Sequence, residues 1–285
     1  MDINDLSHTC PLGAADEFSQ ITARYDGDRQ VVWMVMRAEP RPSFNRVLLG
    51  EILRLGRLVR SAAIPVRFWV TASATPGMFN AGGDLELFAR SIRTGDHDAL
   101  RSYARACVDC IDEAVHGFHT GAISIALVDG DALGGGFECA LAHHFVIAEE
   151  QARLGFPEIK FNLFPGMGAY PLTARRAGRQ TAERLIGWGD QEAVGWHAER
   201  GLVDRVAATG KGFRAVTEFI DEIAPRFNGV RAMIRARELS LPVPREVLMA
   251  TTEDWAESAF DVGEAAVEYM ERLVALQNRR FAETR

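Results

Sequence analysis

Long apolar runs are missing from this chain. No stretch approaches the roughly 18 residues of a membrane span, and the opening Met1-Asp-Ile-Asn-Asp5 has neither the basic nor the apolar region of a signal peptide. Both absences point to a cytoplasmic protein without membrane insertion. Positive charge is also in deficit: the 285 residues carry 32 Lys and Arg against 39 Asp and Glu, a net charge of −7. A nucleic-acid-binding surface is normally basic, so that class of partner is not expected. Cysteine is scarce. Cys10, Cys107, Cys110 and Cys139 are irregularly spaced, which argues against a disulfide framework and suits a reducing compartment. Repeats, low-complexity segments, a Walker A loop and a GxGxxG after the first strand are absent as well, which disfavours nucleotide-fuelled and hydride chemistry. What is present is a hydrophobic content of 47%, ample for a packed core.

Residues 1–25 are polar and aperiodic and read as a loose N-terminal arm. Val31–Met36, Val66–Ala72, Ala122–Val128 and Phe145–Ala148 are short runs rich in β-branched and aromatic residues, the pattern of strands. Between the first two, Phe44, Val47, Leu48, Ile52, Leu55, Leu58 and Val59 share a helical face behind a candidate Ser43 cap. A further helical segment runs from about 100 to 116. The alternation predicts a layered α/β fold with parallel pairing. Beyond Pro165 the pattern turns helical, over 173–186, 191–200, 212–226, 230–239 and 247–281 with a break near Asp261, and Pro242 and Pro244 mark a loop.

Two glutamates stand out chemically, Glu138 in Leu133-Gly-Gly-Gly-Phe-Glu138 and Glu158 in Leu154-Gly-Phe-Pro-Glu158. A carboxylate among Phe137, Cys139, Ala140 and Leu141 is costly to bury unless it is hydrogen-bonded or protonated, and proteins accept that cost mainly at working sites. Two glycine turns, Phe79-Asn-Ala-Gly-Gly-Asp84 and Gly130-Asp-Ala-Leu-Gly-Gly-Gly136, each follow a strand and precede a helix. Brought together, they would aim one N–H each at a developing oxyanion, although such loops often serve only to turn the chain. Other candidates are weaker. His143 and His144 are neighbours that point to opposite faces of an extended segment, and no ligand cluster accompanies them, so no metal is expected. Cys107 and Cys110 lie in a helical pattern and read as packing, and Ser124 lacks the glycines of a nucleophile elbow.

Taken together, Phe79-Asn-Ala-Gly-Gly-Asp-Leu85, Ala132-Leu-Gly-Gly-Gly-Phe-Glu138, Leu154-Gly-Phe-Pro-Glu158, Pro165-Gly-Met-Gly168 and Gly201-Leu-Val-Asp-Arg-Val206 resemble the crotonase (enoyl-CoA hydratase/isomerase) superfamily over about residues 28–283. The resemblance implies a β-β-α spiral core with a C-terminal helical trimerisation region, divided as an arm over 1–27, a core over 28–205 and helices over 206–285 for oligomerisation and acyl-pocket cover. It implies Glu138 and Glu158 as catalytic residues, the backbone N–H groups of Gly83 and Gly135 as the oxyanion hole, and assembly as a homotrimer or hexamer.

Finer similarities lie in Leu85-Glu-Leu-Phe88, Ile92-Arg-Thr-Gly-Asp96, Leu163-Phe-Pro-Gly-Met-Gly-Ala-Tyr170, Thr252-Glu-Asp-Trp255 and Gln277-Asn-Arg-Arg280, and in His143-His144 where hydratases commonly carry Cys-Asp. These resemble the diffusible signal factor synthase branch, whose members turn a 3-hydroxyacyl thioester on acyl carrier protein into a free cis-2-unsaturated fatty acid. On that reading Phe164, Met167, Trp255 and Leu276 line an acyl pocket, the substrate is an acyl thioester of acyl carrier protein or CoA, no cofactor is called for, and a sensor kinase is a regulatory partner. The alternatives are a generic enoyl-CoA hydratase or isomerase and a non-catalytic scaffold of the same shape.

Overall fold

The computed structural model describes residues 18–282, so Cys10 and most of the expected arm lie outside the described residues. Strands β1 (Ile21–Asp26) and β2 (Val31–Met36) form a hairpin, helix α1 (Arg46–Ser61) follows, and β3 (Phe68–Ser73) returns beside β2. The chain then steps out of this sheet. β4 (Met78–Asn80) starts a second, smaller sheet before α2 (Leu85–Thr94) and α3 (His97–Val115) close the turn. β5 (Ile123–Val128), β6 (Asp131–Leu133) and α4 (Gly135–Ala142) repeat that order, as do β7 (Phe145–Glu149), β8 (Arg153–Gly155) and α5 (Ala169–Trp188). Each turn is therefore a strand of the large sheet, a strand of the small sheet and a helical stretch, the expected β-β-α spiral. β9 (Gln191–Ala193), α6 (Val194–Ala198) and β10 (Arg205–Ala207) complete the sheets, whose orders are β1-β2-β3-β5-β7-β10 and β4-β6-β8-β9. Pairing is parallel except at β1 with β2 and β8 with β9.

β2, β3 and β5 are buried along their whole length because both faces of the large sheet are covered. One face packs on α1, α3 and α4 in the main core. The other packs on α7 (Gly212–Ile223) and α8 (Phe227–Ser240) through Val216, Phe219, Ile220, Ile223 and Ile234. Two last helices fold back over the first core: α9 (Arg245–Ser258) lies on α3, and α10 (Glu264–Ala282) lies on α2. No helix among the described residues is long and apolar enough to cross a membrane.

Three local expectations are corrected. Residues 21–26, placed in the loose arm, form β1, whose side chains alternate between buried and half-buried. The cap of α1 is Asn45, not Ser43: its side-chain oxygen accepts from the N–H of Val47 at 3.0 Å and of Leu48 at 2.9 Å, while Phe44 stays outside the helix and bridges to Gly83. The helix expected over 191–200 begins as β9, because the edge of β8 takes Gln191–Ala193 as an antiparallel partner before the short α6 starts.

Candidate active site

The two glycine turns meet between the sheets. In the first, buried Asn80 accepts the N–H of Gly82 at 2.8 Å, and the Gly82 carbonyl accepts the N–H of Phe44 at 2.8 Å. The Tyr103 hydroxyl, fully inside α3, donates to the Phe44 carbonyl at 2.7 Å and accepts the N–H of Asp84 at 3.0 Å. The amides on both sides of Gly83 are thus engaged, and among the described residues the Gly83 N–H has no acceptor. In the second turn Gly134 takes φ 52° and ψ −125°, a conformation that only glycine holds without strain. Gly135 opens α4, where the first N–H groups have no partner inside the helix. A Cβ placed on Gly135 would lie 3.5 Å from the Gly83 nitrogen, so the two unused amides are neighbours, the arrangement an oxyanion hole requires.

Glu138 sits on the next turn of α4 and is 1% exposed. One of its oxygens accepts the N–H groups of Met167 at 2.7 Å and Ala169 at 2.8 Å. Those donors exist because Gly168, at φ 127°, turns the chain into the first residue of α5, whose N-terminus favours negative charge. Burial raises the Glu138 pKa, and the backbone donors pull it back part of the way. Glu158 comes from the 3-10 segment Pro157–Phe161 and lies over Gly134, where an added Cβ would be 2.0 Å from its Oε1. Its Oε2 is buried without a hydrogen-bond partner among the described residues. Burial first, and the charge of Glu138 second, push its pKa well above the ordinary glutamate range. Burial therefore biases both carboxyls toward the protonated form, and two such groups in one cavity titrate as a pair.

Both carboxyls, both glycines, Met167 and Trp255 line a single cavity of about 30 Å³, enough for one water. Phe88, Tyr103, Cys107, Phe161, Leu163 and Thr252 are among the other residues of its wall. A second cavity of about 170 Å³ shares Gly83, Phe88, Glu158 and Phe161 with it, and its outer wall includes Lys160, Tyr269, Leu273 and Gln277. The other two expected pocket residues are not brought in. Phe164 is half-buried at the margin of the core, and Leu276 is 58% exposed on α10 and lines neither cavity. Sequence reasoning missed Tyr103, which clamps the Gly83 turn from a helix 20 positions away, and Phe88. The Leu85–Phe88 segment carried the only signal for the latter.

His143, His144 and Ser124 are structural. His143 lies 2.8 Å from the Cys139 carbonyl and 2.7 Å from the Thr71 hydroxyl, and His144 accepts the Ser124 N–H at 2.9 Å. The Ser124 hydroxyl donates to the Ala114 carbonyl at 3.0 Å.

The model of the enoyl-CoA hydratase/isomerase family matches residues 62–238, more than half of the chain. The chain belongs to that family. A curated relative, the enoyl-CoA isomerase/hydratase fer4 of Mycosarcoma maydis, is 31% identical over 158 residues, covering 55% of this chain and 57% of its own length. The chain thus spans little more than half of that relative. Among solved structures, DspI of Pseudomonas aeruginosa superposes with a TM-score of 0.69 at 25% identity over 78% of this chain and 83% of that one. An enoyl-CoA hydratase from Bacillus anthracis gives a TM-score of 0.70 at 25% identity, over 94% and 97%.

Proposed function

We propose that the chain dehydrates a 3-hydroxyacyl thioester carried by acyl carrier protein and then hydrolyses the thioester, releasing a free cis-2-unsaturated fatty acid of the diffusible signal factor type used in quorum sensing. The observation that carries this reading is a buried glutamate pair with one oxygen unpartnered, facing two unused backbone amides. Loss of an α-proton from a thioester puts charge on the carbonyl oxygen, which the N–H groups of Gly83 and Gly135 receive. In elimination Glu158, as carboxylate, takes the α-proton while Glu138, as acid, protonates the departing 3-hydroxyl, and water leaves. Addition of water runs the reverse way from the form with the proton on Glu158. In the second step a water attacks the thioester carbonyl, the same amides hold the tetrahedral oxygen, the C–S bond breaks and the thiol leaves with the proton.

Support for the synthase branch over a plain hydratase comes from the segments that carry the finer resemblance. Phe88, Thr252 and Trp255 face the cavity, and Met167 and Ala169 hold Glu138. The second reading is a generic hydratase or isomerase; the inner cavity of about 30 Å³ admits no acyl chain as it stands and the adjoining one measures about 170 Å³, so on either reading the pocket must open for substrate. On the synthase reading α9 moves to admit the chain. Its rim is tied to α3 by partly exposed ion pairs such as Arg101–Glu253 at 3.2 Å and Arg105–Glu253 at 2.6 Å, worth only about 0–1 kcal/mol each. Leu248, Trp255 and Ala256 bury its inner face in the main core, so the movement has to displace packed side chains as well. Assembly as a homotrimer or hexamer belongs to the same proposal, and light scattering that shows a monomer at micromolar concentration contradicts it.

Mass spectrometry of products from a panel of 3-hydroxyacyl carrier-protein and enoyl-CoA thioesters tests the function. Free 2-enoic acid of medium chain length is the expected product. An acyl group that stays on its thioester, with preference for four carbons, replaces the synthase reading with the hydratase one.

A further inference from the structure

Outside the catalytic cavity, the end of α3 and the turn after it bring together three side chains that no step of the proposed reaction uses. Asp112 and His116 are one helical turn apart, with Asp112 Oδ1 3.4 Å from His116 Nδ1. His119 lies beyond the helix, yet its Nε2 is 3.4 Å from the other oxygen of Asp112. It returns because residues 117–119 form a left-handed turn, at φ 57°, 56° and 52°. That turn is anchored by packing: the buried Phe118 ring stacks on Trp69 at 3.8 Å, and the Thr120 hydroxyl donates to the Gly117 carbonyl at 2.8 Å. One ligand-type atom from each residue falls within 4.8 Å of the other two, and the imidazoles lie nearly parallel, 5.1 Å apart.

We propose that Asp112, His116 and His119 form a binding site for one divalent transition cation of the zinc class. Two imidazoles and a carboxylate are a donor set such ions prefer. Metal–ligand bonds of about 2.0–2.1 Å in a tetrahedral site place neighbouring donor atoms ~3.4 Å apart. Each imidazole lies 3.4 Å from one oxygen of Asp112, His116 from Oδ1 and His119 from Oδ2, so a bound ion would take the carboxylate through both oxygens or through one after a small rotation. His116 and His119 are 40% and 45% exposed, so water has access to complete the coordination. His116 Nδ1 also lies 2.9 Å from the Asp112 carbonyl, so binding requires the tautomer with the proton on Nε2, or a ring rotation that offers Nε2. The bound ion would tie the end of α3 to the segment leading into β5, which is a structural role rather than a catalytic one.

The test is calorimetric titration of chelator-treated, tag-free protein with Zn²⁺, beside Asp112→Asn and His119→Gln, each checked by thermal melting for an intact fold. The wild type should bind one zinc per chain, and each variant should bind at least about 10-fold more weakly, since even outer-shell partners of metal sites are worth 10–100-fold. Zinc should raise the melting temperature of the wild type and not of the variants. Should one variant fail to fold, His116→Gln replaces it. No zinc uptake by the wild type, or uptake unchanged in either folded variant, overturns the site and leaves the cluster as a charge-paired helix end.

Discussion

The two ends of α4 are both buried, both polar and differ in one respect. At its C-terminal end, His143 and His144 use all four ring nitrogens, on the Cys139 carbonyl, the Thr71 hydroxyl, the Ser124 amide, and the Val115 carbonyl with Glu238. At its N-terminal end Glu158 keeps an oxygen unpartnered, and the amides of Gly83 and Gly135 face the same cavity. A buried polar cluster that satisfies itself is structure. An unpartnered buried oxygen is not by itself a binding site, since Trp69 Nε1 and Thr173 Oγ1 are buried without partners among the described residues as well. What distinguishes Glu158 is that it shares a cavity with a second carboxyl and the two glycine turns, and on the proposed function that cavity receives the substrate carbonyl.

The contrast breaks first at the glutamates. Glu138→Gln and Glu158→Gln should each lower turnover by at least about 100-fold, and Glu158→Gln should melt no lower than the wild type, since it removes a carboxyl that burial disfavours. Gly134→Ala comes next. Its Cβ would meet Glu158 Oε1 at 2.0 Å, so kinetics should show a loss of roughly 10–100-fold and denaturation a loss of about 1–3 kcal/mol. Tyr103→Phe should release the Gly83 turn, lowering kcat about 10-fold with KM little changed, a smaller loss than removal of an oxyanion donor itself. At the opposite end, His143→Gln should cost about 1–3 kcal/mol in urea denaturation while the folded enzyme keeps its turnover.

Opposite pH slopes are the smallest effect. Burial raises the pKa of both glutamates, so the stability they allow below their unfolded value of about 4.3 is lost as pH rises toward the raised pKa. Burial lowers His143 to about 4, so its contribution, present above an unfolded value of about 6.5, is lost as pH falls toward that number. Stability against pH should therefore flatten on the alkaline side in Glu158→Gln and on the acid side in His143→Gln.

What the sequence disclosed follows from burial. β2, β3, β5 and β7 were legible because central parallel strands are continuous apolar runs. β1 was not, since Thr22, Arg24 and Asp26 alternate with its buried residues, and the three residues of β9 carry no pattern at all. The glutamates were legible as charges in apolar surroundings. Leu276 was misplaced because an amphipathic pattern shows that a helix has an apolar face without showing which residue meets a cavity. Tyr103 and the Asp112–His116–His119 cluster were hidden for a different reason. Their partners are set by turns that bring back distant or reversed chain, and neither the reach of a hydroxyl to the Phe44 carbonyl nor a left-handed turn at residues 117–119 leaves a mark in local composition.

On the proposed mechanism Glu158 exchanges a proton with the substrate α-carbon, and that exchange can be followed directly. In D₂O, wild-type protein incubated with a 3-hydroxyacyl thioester should place deuterium at the α-carbon of recovered thioester, read by mass spectrometry, while Glu158→Gln should slow that exchange by at least about 100-fold and His143→Gln should leave it unchanged in the folded enzyme. Exchange at the wild-type rate in Glu158→Gln would contradict the assignment of the glutamate pair as the catalytic centre.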